Sequence, residues 1–97
     1  MRRAAKVDRN HTEIVHALTS IGATVQDLSA VGQGCPDILV GFRGRNVLLE
    51  IKDGKAPPSA RRLNERQKRW HIWWKGQVTV VCSAEEAIAV VVGELCP

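Results

Sequence analysis

The sequence predicts one small α/β domain whose mixed four-stranded sheet is flanked by helices, and three observations lead there. Ile14, Ala17, Leu18 and Ile21 recur at helical spacing. Two aliphatic runs, residues 37–42 and 47–52, flank the polar stretch Arg43-Gly44-Arg45-Asn46, the pattern of a β-hairpin. Two further helix starts are written as capping boxes, Asn64 with Gln67 and Ser83 with Glu86.

In chain order, Asn10 opens the first helix, with Glu13 completing its capping box, and Gly22 closes it. Residues 23–28 read as a short strand around Val25. Residues 29–36 form a loop, because Gly32, Gly34 and Pro36 do not suit a regular element. The hairpin follows. Gly54, Pro57, Pro58 and Ser59 then mark a second loop, and Asn64 caps a helix expected to run to Lys75 before Gly76 stops it. Residues 77–82 are mostly apolar, which predicts a strand inside the sheet. Ala84, Ala87, Ile88, Val91 and Val92 give the last helix its apolar face. The order is α-β-β-β-α-β-α, with residues 1–9 a basic tail and 10–97 the domain.

Composition narrows the function classes. No apolar run approaches the roughly 20 residues of a membrane helix, and no signal region follows the basic start. The expectation is a cytoplasmic protein, in a bacterium or a phage-infected cell. Cys35, Cys82 and Cys96 form no CxxC pair, and His11, His16 and His71 form no HExxH pattern, so neither zinc nor a disulfide framework is indicated. The net charge of +4 is unevenly spread. Lys52, Lys55, Arg61, Arg62, Arg66, Lys68, Arg69 and Lys75 face only Asp53 and Glu65 in the same stretch, and Arg2, Arg3, Lys6 and Arg9 crowd the N-terminus. Such clustering suits a phosphate backbone, with Lys55, Arg61, Arg62, Arg66 and Arg69 the candidate contacts. A solvated helix face would also account for it.

The hairpin carries the chemistry. Side chains alternate along a strand, so Glu50 and Lys52 share one side while Leu49 and Ile51 take the other. Closing the turn brings Asp37 opposite Glu50 to Lys52. Two carboxylates and an ammonium thus meet among aliphatic neighbours, where charge is costly unless paired or bound to a metal. Carboxylates, carbonyls and water suit Mg²⁺ or Mn²⁺. Such an ion acidifies water and neutralises phosphate oxygens, and Lys52 adds a point charge for the nucleophile and transition state. A surface salt bridge is the plain alternative for Glu50 and Lys52.

Gly34-Cys35-Pro36-Asp37, Glu50-Ile51-Lys52 and Leu63-Asn64-Glu65-Arg66-Gln67 together resemble the VRR-NUC branch of the PD-(D/E)XK nucleases, over roughly residues 10–90. The short stand-alone form is similar to phage and bacterial members related in fold to Holliday-junction resolvases. The resemblance implies a restriction-endonuclease-like α-β-β-β-α-β core plus a C-terminal helix. It also implies Mg²⁺- or Mn²⁺-dependent cleavage of DNA chosen by structure, in four-way junctions or flaps, by a homodimer. By position it makes Asp37 and Glu50 metal ligands with the Ile51 carbonyl, and Lys52 the motif lysine. It adds Gln67 and Glu13 as further site residues, although capping alone would explain both.

Trp70, Trp73 and Trp74 follow helical spacing and are expected in the core or at a dimer interface rather than stacked on bases. Two other functional readings stand beside the endonuclease. One is a non-catalytic DNA-binding subunit of a replication or repair complex. The other is a restriction-type or tRNA-splicing-type nuclease, disfavoured because no recognition domain is attached.

Overall fold

The computed structural model describes residues 9–93. Most of the basic N-terminal tail and Cys96 lie outside the described residues. The elements are α1 (His11–Ser20), β1 (Thr24–Asp27), β2 (Ile38–Phe42), β3 (Arg45–Ile51), a 3₁₀ turn (Pro58–Arg61), α2 (Glu65–Trp73), β4 (Val78–Val81) and α3 (Ala84–Val92). The four strands form one sheet in the order β1-β2-β3-β4, antiparallel except for the parallel β3–β4 pair. The predicted order and mixed sheet are therefore present.

Register follows from the hairpin turn. Phe42 pairs with Arg45 and Ile38 with Leu49, so the turn is only Arg43-Gly44. Both turn residues have positive φ, 51° and 77°, which lets the strands keep their right-handed twist through a two-residue connection. The guanidinium of Arg43 sits 4.9 Å from the Phe42 ring centroid, which helps offset the strain of a non-glycine residue there.

Alternation then sorts the side chains. Ile38 and Val40 on β2, Val47, Leu49 and Ile51 on β3, and Val81 on β4 turn to one face. There α1 contributes Ile14 and Leu18, and α3 contributes Ala87 and Val91, giving one buried core. Truncating any fully buried member such as Leu49 or Leu18 to Ala costs about 2–5 kcal/mol. Leu39, Leu48 and Glu50 turn to the opposite face, beneath α2.

Five expectations are corrected. β4 is an edge strand rather than an internal one. Its apolar run is explained by α3 packing over it. Asn10 precedes α1 but makes no side-chain cap; its amide donates to the Lys52 and Cys82 carbonyls at 3.0 and 2.9 Å, tying α1 to the ends of β3 and β4. The tryptophan helix α2 buries none of its residues, so the tryptophans are not core. That helix also ends two residues before Lys75, with the Trp74 indole folded against Gly76. The capping box of Asn64 and Gln67 is complete in both directions. That of Ser83 and Glu86 is half formed: Ser83 accepts from the Glu86 amide, while the Glu86 carboxylate accepts from Cys82 N–H.

Candidate active site

Asp37 stands one residue before β2 and continues its ladder. Its N–H donates to the Leu49 carbonyl at 3.1 Å, and its carbonyl accepts from Leu28 N–H at 2.8 Å. Its carboxylate Oδ2 accepts from Ile51 N–H at 2.7 Å. Asp37 is thus pinned at three points where β3 passes Glu50.

Glu50 is only 2% exposed. A carboxylate taken out of water costs several kcal/mol unless its surroundings compensate. Gln67 Nε2 donates to Glu50 Oε2 at 3.1 Å, and His71 Nε2 stands 3.9 Å from Glu50 Oε1. Lys52, two residues on, donates from Nζ to Gln67 Oε1 at 3.0 Å. The same Gln67 oxygen accepts from Asn64 N–H at 2.9 Å. One glutamine amide therefore closes the capping box, holds the acid with its NH₂ and holds the lysine with its oxygen. This explains why a residue at the start of α2 can serve both the helix and the site.

Of the residues singled out in the sequence, Asp37, Glu50, Lys52 and Gln67 are brought together. Glu13 is placed elsewhere, exposed on α1, where it lines a groove with Arg9, Asp53, Lys55 and Arg61. Arg66 and Arg69 line a separate cleft between the glycine-rich loop and α2. Arg62 is exposed. Four of the five candidate DNA contacts are therefore split between two concave surfaces, and Arg62 lines neither.

His71 was not legible as a site residue, because it belongs to no HExxH pattern. The usable signal was its position four residues after Gln67, which puts both on one face of α2. Burial, and then the charge of Lys52, hold the His71 imidazole below its ordinary pKa. Cys35 borders the same region: burial, then the charges of Glu50 and Asp37, push its thiol up.

Among the described residues, no group of three or more His, Cys, Asp and Glu side chains is arranged to hold a metal. Two neighbouring carboxylates beside the main-chain carbonyls of β3 make an all-oxygen donor set. That set fits Mg²⁺ or Mn²⁺, which bind through one or two carboxylates and keep several waters. It does not suit zinc, which prefers three or four nitrogen or sulfur ligands.

A mixed sheet with paired acids and a lysine at one hairpin end defines the PD-(D/E)XK-like class of nuclease folds. No protein-family model and no curated protein matches the sequence. A solved structure described as a VRR_NUC domain is 27% identical and superposes with a TM-score of 0.63, over 87% of this chain and 91% of that one. The likeness bears out the VRR-NUC resemblance of the motifs: the chain has the fold of a VRR-NUC-type nuclease domain. No helix among the described residues is long and apolar enough to cross a membrane.

Proposed function

We propose that this domain is an Mg²⁺- or Mn²⁺-dependent DNA endonuclease that hydrolyses phosphodiester bonds in branched DNA and works as a homodimer. The observation that carries the reading is the Gln67 bridge, which fixes a buried acid and a lysine beside Asp37 with 3.1 and 3.0 Å contacts. A protein that only bound DNA would have no use for a nearly buried carboxylate, since its charge repels phosphate.

Asp37 and Glu50, with the Ile51 carbonyl, are the residues that would hold the ion. When bound, it supplies neutralisation of the phosphate oxygens and a lowered pKa for water. Lys52 holds the attacking water and stabilises the negative charge that grows on the phosphoryl oxygens. Water adds to phosphorus and gives up a proton to solvent, the bridging P–O bond breaks, and the leaving alkoxide oxygen takes up a proton from solvent. Gln67 keeps Lys52 and Glu50 in register, so the charge distribution is set before DNA arrives. Arg61, Arg62, Arg66, Arg69 and Lys55 contact phosphates, which positions the substrate without reading its sequence.

The test is a panel of a four-way junction, a flap and a plain duplex, each incubated with the protein in Mn²⁺ and in EDTA, with solution mass measured alongside. Mn²⁺-dependent cutting of branched substrates by a dimer is the expected result. Tight binding without cutting of any substrate would leave a DNA-binding subunit as the correct reading.

A further inference from the structure

Next to the carboxylates, the glycine-rich loop and α2 enclose an open cleft of ≈ 750 Å³. The loop side is Val31, Gln33 and Cys35, and the helix side is Arg66, Arg69, Trp70 and Trp73. Arg66, Arg69 and Trp73 are spaced i, i+3, i+7 and share one face of α2. No carboxylate lines the cleft. Its loop wall is fixed against the helix: Gly34 has φ +87°, and a Cβ there would run into the Arg66 carbonyl. The cleft adjoins the site: Cys35, in its lining, stands two residues before Asp37, and Arg66 directly precedes Gln67, which holds Glu50 and Lys52.

Trp73 is 65% exposed, although exposing an indole forfeits about 25 cal/mol for each Å² of apolar surface left in water. Its ring is nevertheless held. Trp70 meets it edge-on at 5.9 Å and itself stacks on Trp74 at 4.9 Å. A braced, exposed indole beside two guanidiniums is the arrangement that receives a base and its flanking phosphates.

We propose that this cleft binds an unpaired nucleotide of the strand entering the active site, its base stacked on Trp73 and its phosphates held by Arg66 and Arg69. Inside a duplex both faces of each base are covered by stacked neighbours, whereas an unpaired base offers a face to an indole. A second copy of the chain suits this wall poorly, since it would bury two guanidiniums without partners. It suits instead the neighbouring groove of Leu28, Leu39, Leu48, Trp70 and Trp74, whose lining carries no charge. The strand's destination rests on the nuclease reading; the stacking itself does not. The consequence is a preference for substrates with unpaired nucleotides beside the scissile bond.

All three tryptophans of the chain lie at positions 70, 73 and 74, so intrinsic emission reports this region alone. The test titrates the protein in EDTA with a tailed duplex carrying 2-aminopurine in its tail, and with the blunt duplex. Tailed DNA should quench both the tryptophan and the 2-aminopurine emission, and blunt DNA should not. Trp73→Ala should weaken tailed-DNA binding about tenfold, Trp73→Phe should restore most of it, and blunt-duplex affinity should be unchanged. Arg66→Ala should lower the salt slope for tailed DNA by about 0.7. Equal binding of tailed DNA by Trp73→Ala and wild type would overturn the proposal. So would a Trp73→Ala variant that loses dimer mass while keeping its tail preference, because the indole would then face a second copy. Trp73-dependent stacking by a protein that cuts nothing would keep this proposal and remove the nuclease reading; cutting without stacking would do the reverse.

Discussion

Gln67 has two duties, and substitutions can separate them. Its side chain accepts from Asn64 N–H within the capping box, and it also bridges Lys52 and Glu50. Asn64→Ala removes the other half of the box, the Asn64 Oδ1 that accepts from Gln67 N–H at 2.9 Å, and leaves the bridge in place. Loss of such a cap costs about 1 kcal/mol. Gln67→Ala removes its own half of the box, which leaves the exposed Asn64 N–H to water, and with it a hydrogen bond to a nearly buried carboxylate and one to an ammonium, each worth about 1.5–3 kcal/mol. Lys52 is only half-buried and regains water, so the expected net loss is about 2–3 kcal/mol. Urea denaturation of both variants measures these costs. Single-turnover cleavage then divides the roles. Asn64→Ala should cut within a few-fold of wild type, while Gln67→Ala should lose about 10²-fold, the scale of a misplaced catalytic group. Equal activity losses in the two variants would refute the reasoning, because helix integrity alone would then account for Gln67. Full activity in Gln67→Ala would refute it more directly.

Three further outcomes follow from the geometry. Gly34→Ala combines a left-handed φ with a backbone collision, whereas Gly32→Ala has φ +77° and open space, so the first should destabilise by several kcal/mol and the second by about 1–2, read by thermal unfolding; equal losses would show that the loop does not touch α2. In a Cys82→Ser, Cys96→Ser background, Cys35 should alkylate more slowly at pH 8 than a free thiol, and Glu50→Gln should speed it by removing one of the charges that raise its pKa; an unchanged rate would place Cys35 away from the acids. The folded-state pKa of His71 lies below its ordinary 6.5, so the folded chain takes up fewer protons than the unfolded one as pH falls below that value. Stability tied to His71 is therefore present above pH 6.5 and lost on acidification, and His71→Gln should flatten the decline measured in urea between about pH 7 and pH 5. A decline as steep as that of wild type would contradict it.

The hairpin site was legible because two strong rules overlap there. Period-two alternation fixed the faces of residues 47–52, and a short polar turn fixed the partner of Asp37. Either rule alone would have left the acids unpaired. Gln67 was legible by resemblance, but its bridging role was not, since nothing in a capping box says which way the spare side-chain atoms point. His71 was hidden for a related reason: a polar helix with no buried residues gives no directional signal until its neighbours are known. Asn10 satisfied the composition of a cap but found stronger partners in the Lys52 and Cys82 carbonyls. The apolar run at residues 78–81 records helix cover on an edge strand, a case that hydrophobicity alone does not distinguish from an internal strand. The tryptophan spacing was read as packing, yet helical spacing fixes only a shared face and says nothing of what that face meets.

The most direct test of the central claim is cleavage and binding measured together for wild type, Asp37→Ala and Lys52→Ala on one branched DNA substrate with Mn²⁺. The account predicts that wild type cuts only with the metal. Both variants should lose cutting by 10³-fold or more, on the order expected for groups that stabilise the transition state, while binding DNA within a few-fold of wild type. Full cleavage by either variant, or cleavage by wild type in EDTA, would contradict the assignment of Asp37, Glu50 and Lys52 as a metal-dependent catalytic centre.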